Sequence, residues 1–166
     1  MIKKKICMLG AFAVGKTSLV QQYVHSIFSE KYQTTVGVKI DKKTLTVDGG
    51  VVDLILWDIH GEDAFQSVRT SYLRGASGLL IVVDGTRRAT LDTAFDLQAR
   101  ANETVGSVPT ILVFNKSDLA TDWEITPTEL AQVRQEGAVT VETSAKTGSG
   151  VEETFEMLVR AMMERE

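Results

Sequence analysis

Cysteine is almost missing from this chain. Cys7 stands alone among 166 residues, so no internal disulfide can form. Its place in an apolar stretch, Ile6-Cys7-Met8-Leu9, predicts a small buried hydrophobe rather than a reactive thiol. This suits a reducing compartment, and a cytoplasmic location is expected. No apolar run approaches the ~20 residues that span a bilayer, and no secretory leader pattern is present, so neither a membrane span nor export is expected. An excess of positive charge is lacking too. The net charge of −4 removes the general basic field that nucleic-acid binding needs. Lys3, Lys4 and Lys5 read as the solvated start of a strand. Met162-Met163-Glu164-Arg165-Glu166 offers no cysteine for prenylation, and Met1-Ile2 cannot be myristoylated, so no lipid anchor is expected in this chain.

What is present is ordinary in amount and pointed in arrangement. Hydrophobic residues at 43% and charged residues at 24% fit one globular domain over residues 1–166. Such a chain buries ~70% of its unfolded surface and needs no disulfide or metal staple. Residues 10–17, Gly-Ala-Phe-Ala-Val-Gly-Lys-Thr, match G-x-x-x-x-G-K-[ST]. An apolar run precedes them, and Leu19, Val20, Tyr23, Val24 and Ile27 follow at helical spacing. That is the strand–loop–helix setting in which the pattern binds phosphate through backbone N–H groups and a helix N-terminus. Lys16 would reach the β and γ phosphates, and the Thr17 hydroxyl would face Mg²⁺.

Val36, Val38 and Ile40 alternate, followed by Leu45 and Val47; Asp48-Gly49-Gly50 marks a turn, and residues 51–57 form a second strand, predicting an antiparallel hairpin. A short irregular helix is expected with Phe65, Val68, Tyr72 and Leu73 on one side. Residues 79–84 and 110–115 are uninterrupted apolar runs, read as parallel strands buried on both faces. Helices are predicted over 91–105, from a capping box at Thr126-Pro127-Thr128-Glu129, and over the stripe Val151, Phe155, Leu158, Val159 and Met162; residues 138–142 form a short strand. The fold class is α/β: three layers, a six-stranded mainly parallel sheet with one antiparallel edge strand, and about five helices.

In such sheets ligands bind beyond the carboxyl ends of the strands. Four clusters sit there: residues 10–17, 58–62, 115–118 and 143–146. Asp58-Ile59-His60-Gly61 is D-x-x-G, whose acid would face the metal and whose glycine would bring an N–H to the terminal phosphate. Asn115-Lys116-Ser117-Asp118 is N-K-x-D. The Asp118 carboxylate can accept from guanine N1–H and the 2-amino group, where adenine has no donor. The Lys116 stem can cover the base, and Asn115 would tie this loop to residues 10–17. Glu142-Thr143-Ser144-Ala145-Lys146 would complete the pocket, with a backbone N–H near Ala145 for guanine O6 and Lys146 near the ribose.

Taken together with Thr35, these motifs resemble the Ras superfamily of small GTPases over essentially the whole chain. Thr35-Val36-Gly37, Trp57-Asp58 and Tyr72-Leu73-Arg74-Gly75-Ala76 resemble its Rab-like branch. Anchorless Rab-like proteins also occur in prokaryotes, and the chain is compatible with that origin. The resemblance implies a Mg²⁺-dependent switch that binds GTP and GDP and hydrolyses GTP slowly. Its nucleotide would contact Ala13, Val14, Gly15, Lys16, Thr17, Ser18, Phe28, Thr35, Gly61, Asn115, Lys116, Asp118, Ser144, Ala145 and Lys146. Thr17, Thr35 and Asp58 would hold the metal; Lys16, Gly61 and Glu62 would serve catalysis. Effector and regulator proteins would bind the two switch segments, near 29–37 and 61–72. Phe28 would pack edge-on against the base, the alternative being a core aromatic capping the first helix.

Three positions depart from the family pattern. Glu62 stands where a water-orienting Gln is usual; a carboxylate can act as a base, yet it faces a strongly negative phosphate. Phe12 replaces a small residue where a partner's arginine would enter. His60 lies inside D-x-x-G. A GTP-binding interaction module with negligible hydrolysis therefore stays open as an alternative. A small-molecule P-loop kinase is disfavoured, because Arg87-Arg88 is the only adjacent arginine pair and N-K-x-D would have no purpose.

Overall fold

The structure, a computed structural model, describes residues 2–29, 37–59 and 70–165. Six strands form one sheet: β1 (Ile2–Gly10), β2 (Val38–Val47), β3 (Gly50–Ile59), β4 (Gly78–Asp84), β5 (Thr110–Asn115) and β6 (Val139–Thr143). Their order is β2-β3-β1-β4-β5-β6, and every neighbouring pair is parallel except β2–β3. This is the expected mainly parallel sheet with one antiparallel edge. Asp48 (φ 50°) and Gly49 (φ 82°) both lie in the left-handed region, as a two-residue type I′ hairpin requires. Val47 and Gly50 pair directly across that turn.

The described helices are α1 (Lys16–His25), α2 (Thr70–Leu73), α3 (Ala89–Val105), α4 (Pro127–Gln135) and α5 (Val151–Met163). Alternation along the strands sorts the core into two layers. Ile6, Met8, Leu54, Leu56, Leu80 and Val82 meet Leu19, Val20 and Tyr23 of α1 and Phe155, Leu158 and Met162 of α5. Cys7, Leu9, Leu79, Ile81, Val83 and Phe114 meet Leu91, Ala94 and Leu97 of α3, Leu130 and Val133 of α4 and Leu73 of α2. Successive side chains of one strand thus serve opposite faces, which is why the apolar runs are unbroken. Burial pushes the Cys7 thiol up to about 11, against a smaller opposing effect of Lys5, in keeping with an inert core cysteine.

Three local expectations are refined. Ser26 adopts a left-handed conformation (φ 56°) and ends α1, so Ile27 leaves the helical stripe and is 56% exposed. Lys5 is not simply solvated: its ammonium lies 3.6 Å from the centroid of the Trp57 ring and donates to the Arg74 carbonyl at 2.8 Å. In the capping box, Thr126 accepts from the Glu129 N–H at 3.1 Å with Pro127 at the first helical position. The Glu129 carboxylate turns instead to Arg88. Ser117–Asp122 form a 3-10 segment kinked at Leu119, an element the sequence reading did not contain. Phe65 and Val68 of the predicted irregular helix lie outside the described residues; Tyr72 packs beside the core and Leu73 is buried.

Tyr23 and Phe155 stack at 3.9 Å with their rings 4° from parallel, joining α1 to α5 over the sheet. Phe155→Ala is expected to lower stability by about 3–5 kcal/mol, because it opens a cavity at a site 1% exposed. Urea denaturation measures this, and an unchanged midpoint would contradict the assigned packing.

Candidate functional site

Five parallel strands end on one rim, at Gly10, Ile59, Asp84, Asn115 and Thr143. The loop from β1 to α1 is shaped by donors around it. Lys16 Nζ donates to the Gly10 and Ala11 carbonyls at 3.2 and 3.4 Å. Arg87 Nη2 donates to the Phe12 carbonyl at 2.7 Å, Lys116 Nζ to that of Ala13 at 3.3 Å, and Asn115 Nδ2 to that of Val14 at 3.0 Å. In a trans peptide the C=O and the following N–H point in opposite directions. The N–H groups of Ala13, Val14 and Gly15 therefore face away from Arg87, Lys116 and Asn115. Ala13 has φ 60°, a conformation that such restraints maintain, and successive N–H groups around it form an anion-binding concavity.

Gly15 is required sterically. Its φ is 106°, and a Cβ there would lie 2.2 Å from Asn115 Nδ2. Gly10 is required by close approach, since a Cβ would lie 2.6 Å from the Val82 carbonyl oxygen. Burial lowers the pKa of Lys16, an effect that nearby Asp58 opposes. A buried ammonium at the head of α1 has lost water that a phosphate oxygen can replace. Ser18 follows in the first turn of α1 and is half-buried.

Thr17 Oγ1 donates to Asp58 Oδ2 at 2.5 Å, and Asp58 is 1% exposed. One hydroxyl and one carboxylate form an oxygen-only donor pair. They are too few to cage a cation but suit Mg²⁺, which keeps waters and takes phosphate oxygens. Thr35, Gly61 and Glu62, with His60, lie outside the described residues, as do most residues of the two expected switch segments.

Asn115, 2% exposed, joins three segments. Besides donating to Val14, its Oδ1 accepts from the Thr143 hydroxyl at 3.0 Å and the Ala145 N–H at 3.3 Å. The tie between the loops is thus made, and it reaches further than expected. Lys116 is left-handed (φ 75°), which turns Asp118 toward residues 144–149. Asp118 Oδ1 accepts from Ser144 Oγ at 2.8 Å. Ser144 closes its own loop: its N–H donates to the Ser149 carbonyl, its carbonyl accepts from Gly148, and its hydroxyl accepts from Thr147. Ser144 and Ala145 are buried and Lys146 is exposed. Phe28 is 37% exposed and outside both core layers, against the core-aromatic alternative.

Sequence reasoning passed over Asp84, Arg87 and Trp123. Asp84 is 1% exposed; its Oδ2 accepts from Lys116 Nζ at 2.7 Å and Arg87 Nε at 3.0 Å, and its Oδ1 from the Thr86 N–H and hydroxyl. Trp123 Nε1 donates to the Lys116 carbonyl at 2.8 Å, and its ring lies where a Cβ on Gly85 would stand, 2.1 Å from Cε2. The signal for Asp84 was available: it ends an apolar strand on the same rim as the other clusters.

A family model described as the Ras family matches residues 5–164. The chain is 36% identical over 163 residues to the Ras-related protein Rab-4A of Bos taurus, covering 97% of this chain and 75% of that protein. It is 32% identical over 164 residues to the Ras-related protein Rab-1 of Theileria parva, covering 97% and 74%. With the Ras-related protein Rab-32 of Mus musculus it shares 34% identity over 167 residues, covering 96% and 75%.

Burial alone would raise the pKa of Asp84, but hydrogen bonds from Lys116, Thr86 and Arg87 outweigh it and hold the carboxyl below the usual carboxylate range. A pKa depressed in the folded state stabilises the fold above the unfolded pKa, and that stabilisation is lost as pH falls through the folded value. Asp84→Asn is therefore expected to be less stable near neutrality and to lose part of this acid dependence. Thermal midpoints between neutral pH and the acid range read it directly; curves of equal slope for both proteins would remove Asp84 from that role.

Proposed function

The chain belongs to the Ras family of small GTPases, and we propose that it is a Rab-like switch that binds GTP with Mg²⁺ and hydrolyses it slowly to GDP and phosphate, in a single domain over residues 1–166. The observation that carries the reading is Asn115: one buried amide fastens the anion-binding loop at Val14 to the loop that carries Ser144 and Ala145. A ligand on this rim would meet N–H donors and Lys16 at one end and a carboxylate at the other. Guanosine phosphates have that distribution of acceptors and donors.

At the base end, Asp118 accepts one hydrogen bond from Ser144, which orients a group with about four acceptor directions. The rest suit the paired N–H donors of guanine. Lys116 covers the base, Lys146 neighbours the ribose, the Ala145 N–H is shared between Asn115 Oδ1, 3.3 Å away, and O6, and Phe28 closes the edge. At the phosphate end, the N–H groups of Ala13, Val14 and Gly15 and the Lys16 ammonium take up negative charge. Thr17, Asp58 and, by the family pattern, Thr35 would hold the ion. When bound, Mg²⁺ neutralises charge on the phosphate oxygens. Gly61 would present an N–H to the terminal phosphate, and Glu62 would accept the proton of the attacking water. Repulsion between Glu62 and phosphate makes this step slow.

We place the protein in the cytoplasm, with effectors and regulators engaging the segments near 29–37 and 61–72. No described helix is long and apolar enough to cross a membrane. The exposure of Phe12, 38%, within the phosphate loop favours a second reading, a GTP-binding interaction module with negligible turnover, since the ring crowds an incoming arginine.

The nucleotide that accompanies the protein through purification tests the first claim; a guanine nucleotide is expected, and an adenine nucleotide would refute it. Single-turnover conversion of bound GTP separates the two readings: hydrolysis faster than that of free GTP is expected, and a rate equal to it would leave only the interaction module. Asp118→Asn is expected to weaken GTP binding by roughly 100-fold or more and to gain affinity for xanthosine triphosphate, because an amide donates where the carboxylate accepted. Competition binding measures this, and an unchanged preference for GTP would remove Asp118 from base recognition.

A further inference from the structure

The turn after β4 carries contacts to which the proposed function gives no part. Thr90 makes the turn rigid: its hydroxyl accepts from the Asp84 N–H at 3.0 Å and lies 2.7 Å from the Arg87 carbonyl, to which it donates. Both Asp84 oxygens are engaged from within the turn and by Lys116. Arg87 uses two edges of one planar group. Its Nε faces Asp84 at 3.0 Å, and its Nη2 reaches the Phe12 carbonyl at 2.7 Å.

An ordinary surface ion pair contributes little. This one differs in two respects. Its carboxylate is buried, so the guanidinium is held by a charge shielded from solvent. Its far end rests on the backbone of the binding loop, so any rotation of the Phe12 carbonyl moves the Ala13 N–H with it. Ala13 sits at φ 60° without a glycine's freedom and depends on external restraint to stay there.

We propose that Arg87 is a positioning residue for the phosphate loop: oriented by Asp84, it holds the Phe12 carbonyl outward and so aims the Ala13 N–H at the phosphate chain. The inference rests on the guanine-nucleotide reading given above. Asp84 then serves two cations at once, Arg87 for the Phe12 carbonyl and Lys116 for that of Ala13.

The test uses Arg87→Met, which keeps the stem and removes the fork, and Arg87→Lys, which keeps the charge and a donor. The control is Arg160→Met. Arg160 is of similar exposure, 47% against 43%, and pairs with Asp48 at the opposite end of the sheet. Two quantities are read on GDP-loaded protein: the release rate of a fluorescent GDP and the ³¹P resonances of bound GDP. Arg87→Met is expected to release GDP roughly tenfold faster and to shift the phosphate resonances. Arg87→Lys should fall between it and the parent, and Arg160→Met should match the parent in both. Release at the parental rate with unshifted resonances in Arg87→Met overturns the proposal, as does an equal effect of Arg160→Met. If the parent binds no guanine nucleotide, the nucleotide reading falls and this proposal with it. If the parent binds and Arg87→Met behaves like it, only this proposal falls.

Discussion

Five successive backbone carbonyls, from Gly10 to Val14, each accept a hydrogen bond from a side chain, and the rest of the site depends on that restraint. A short loop has no ladder of its own, and left to itself would turn its carbonyls and N–H groups toward water. Here side chains from α1, from the turn after β4 and from the end of β5 hold the carbonyls. The N–H groups of Ala13 to Gly15 are oriented by the protein's own side chains. Binding then need not also order the loop, and that is the physical meaning of a preorganised site.

The restraint is tied to the fold through two buried polar residues. Asn115 ends a strand whose other side chains lie in both core layers, and its amide serves three segments. Asp84 ends the neighbouring strand, paired with it directly across the sheet, Asp84 opposite Asn115. The carboxylate gathers cations and the amide gathers neutral groups, side by side on adjacent strands. Uninterrupted apolar runs and the polar residue that closes each are therefore one device. The run fixes where the strand ends, and the end delivers a polar group to the rim.

Much of this was legible in the sequence because it is local. Spacing within residues 10–17 and 115–118, the Asp48-Gly49 turn and the Thr126 cap are statements about neighbours along the chain, and physics acts on neighbours in a predictable way. The sheet followed from apolar runs that only a covered parallel arrangement can bury. What escaped was long-range. Nothing near Arg87 in sequence indicates that its guanidinium meets Phe12, 75 positions earlier. Trp123 looks like any aromatic after a polar turn until Gly85 leaves room for its ring. Ile27 continued the helical period on paper, but the left-handed Ser26 had already ended the helix.

Trp57 and Trp123 are the chain's two tryptophans. Trp57 adjoins Asp58 in β3, with its indole against the Lys5 ammonium and 6.2 Å from the Tyr72 ring. Trp123 holds the carbonyl of Lys116. One indole therefore stands behind the half of the site proposed to hold the cation and the other behind the half proposed to hold the base. The molecule carries a native pair of optical labels, one behind each end of the proposed nucleotide site. Replacing either ring with phenylalanine would let ultraviolet emission follow the arrival of the cation and the seating of the base as separate events.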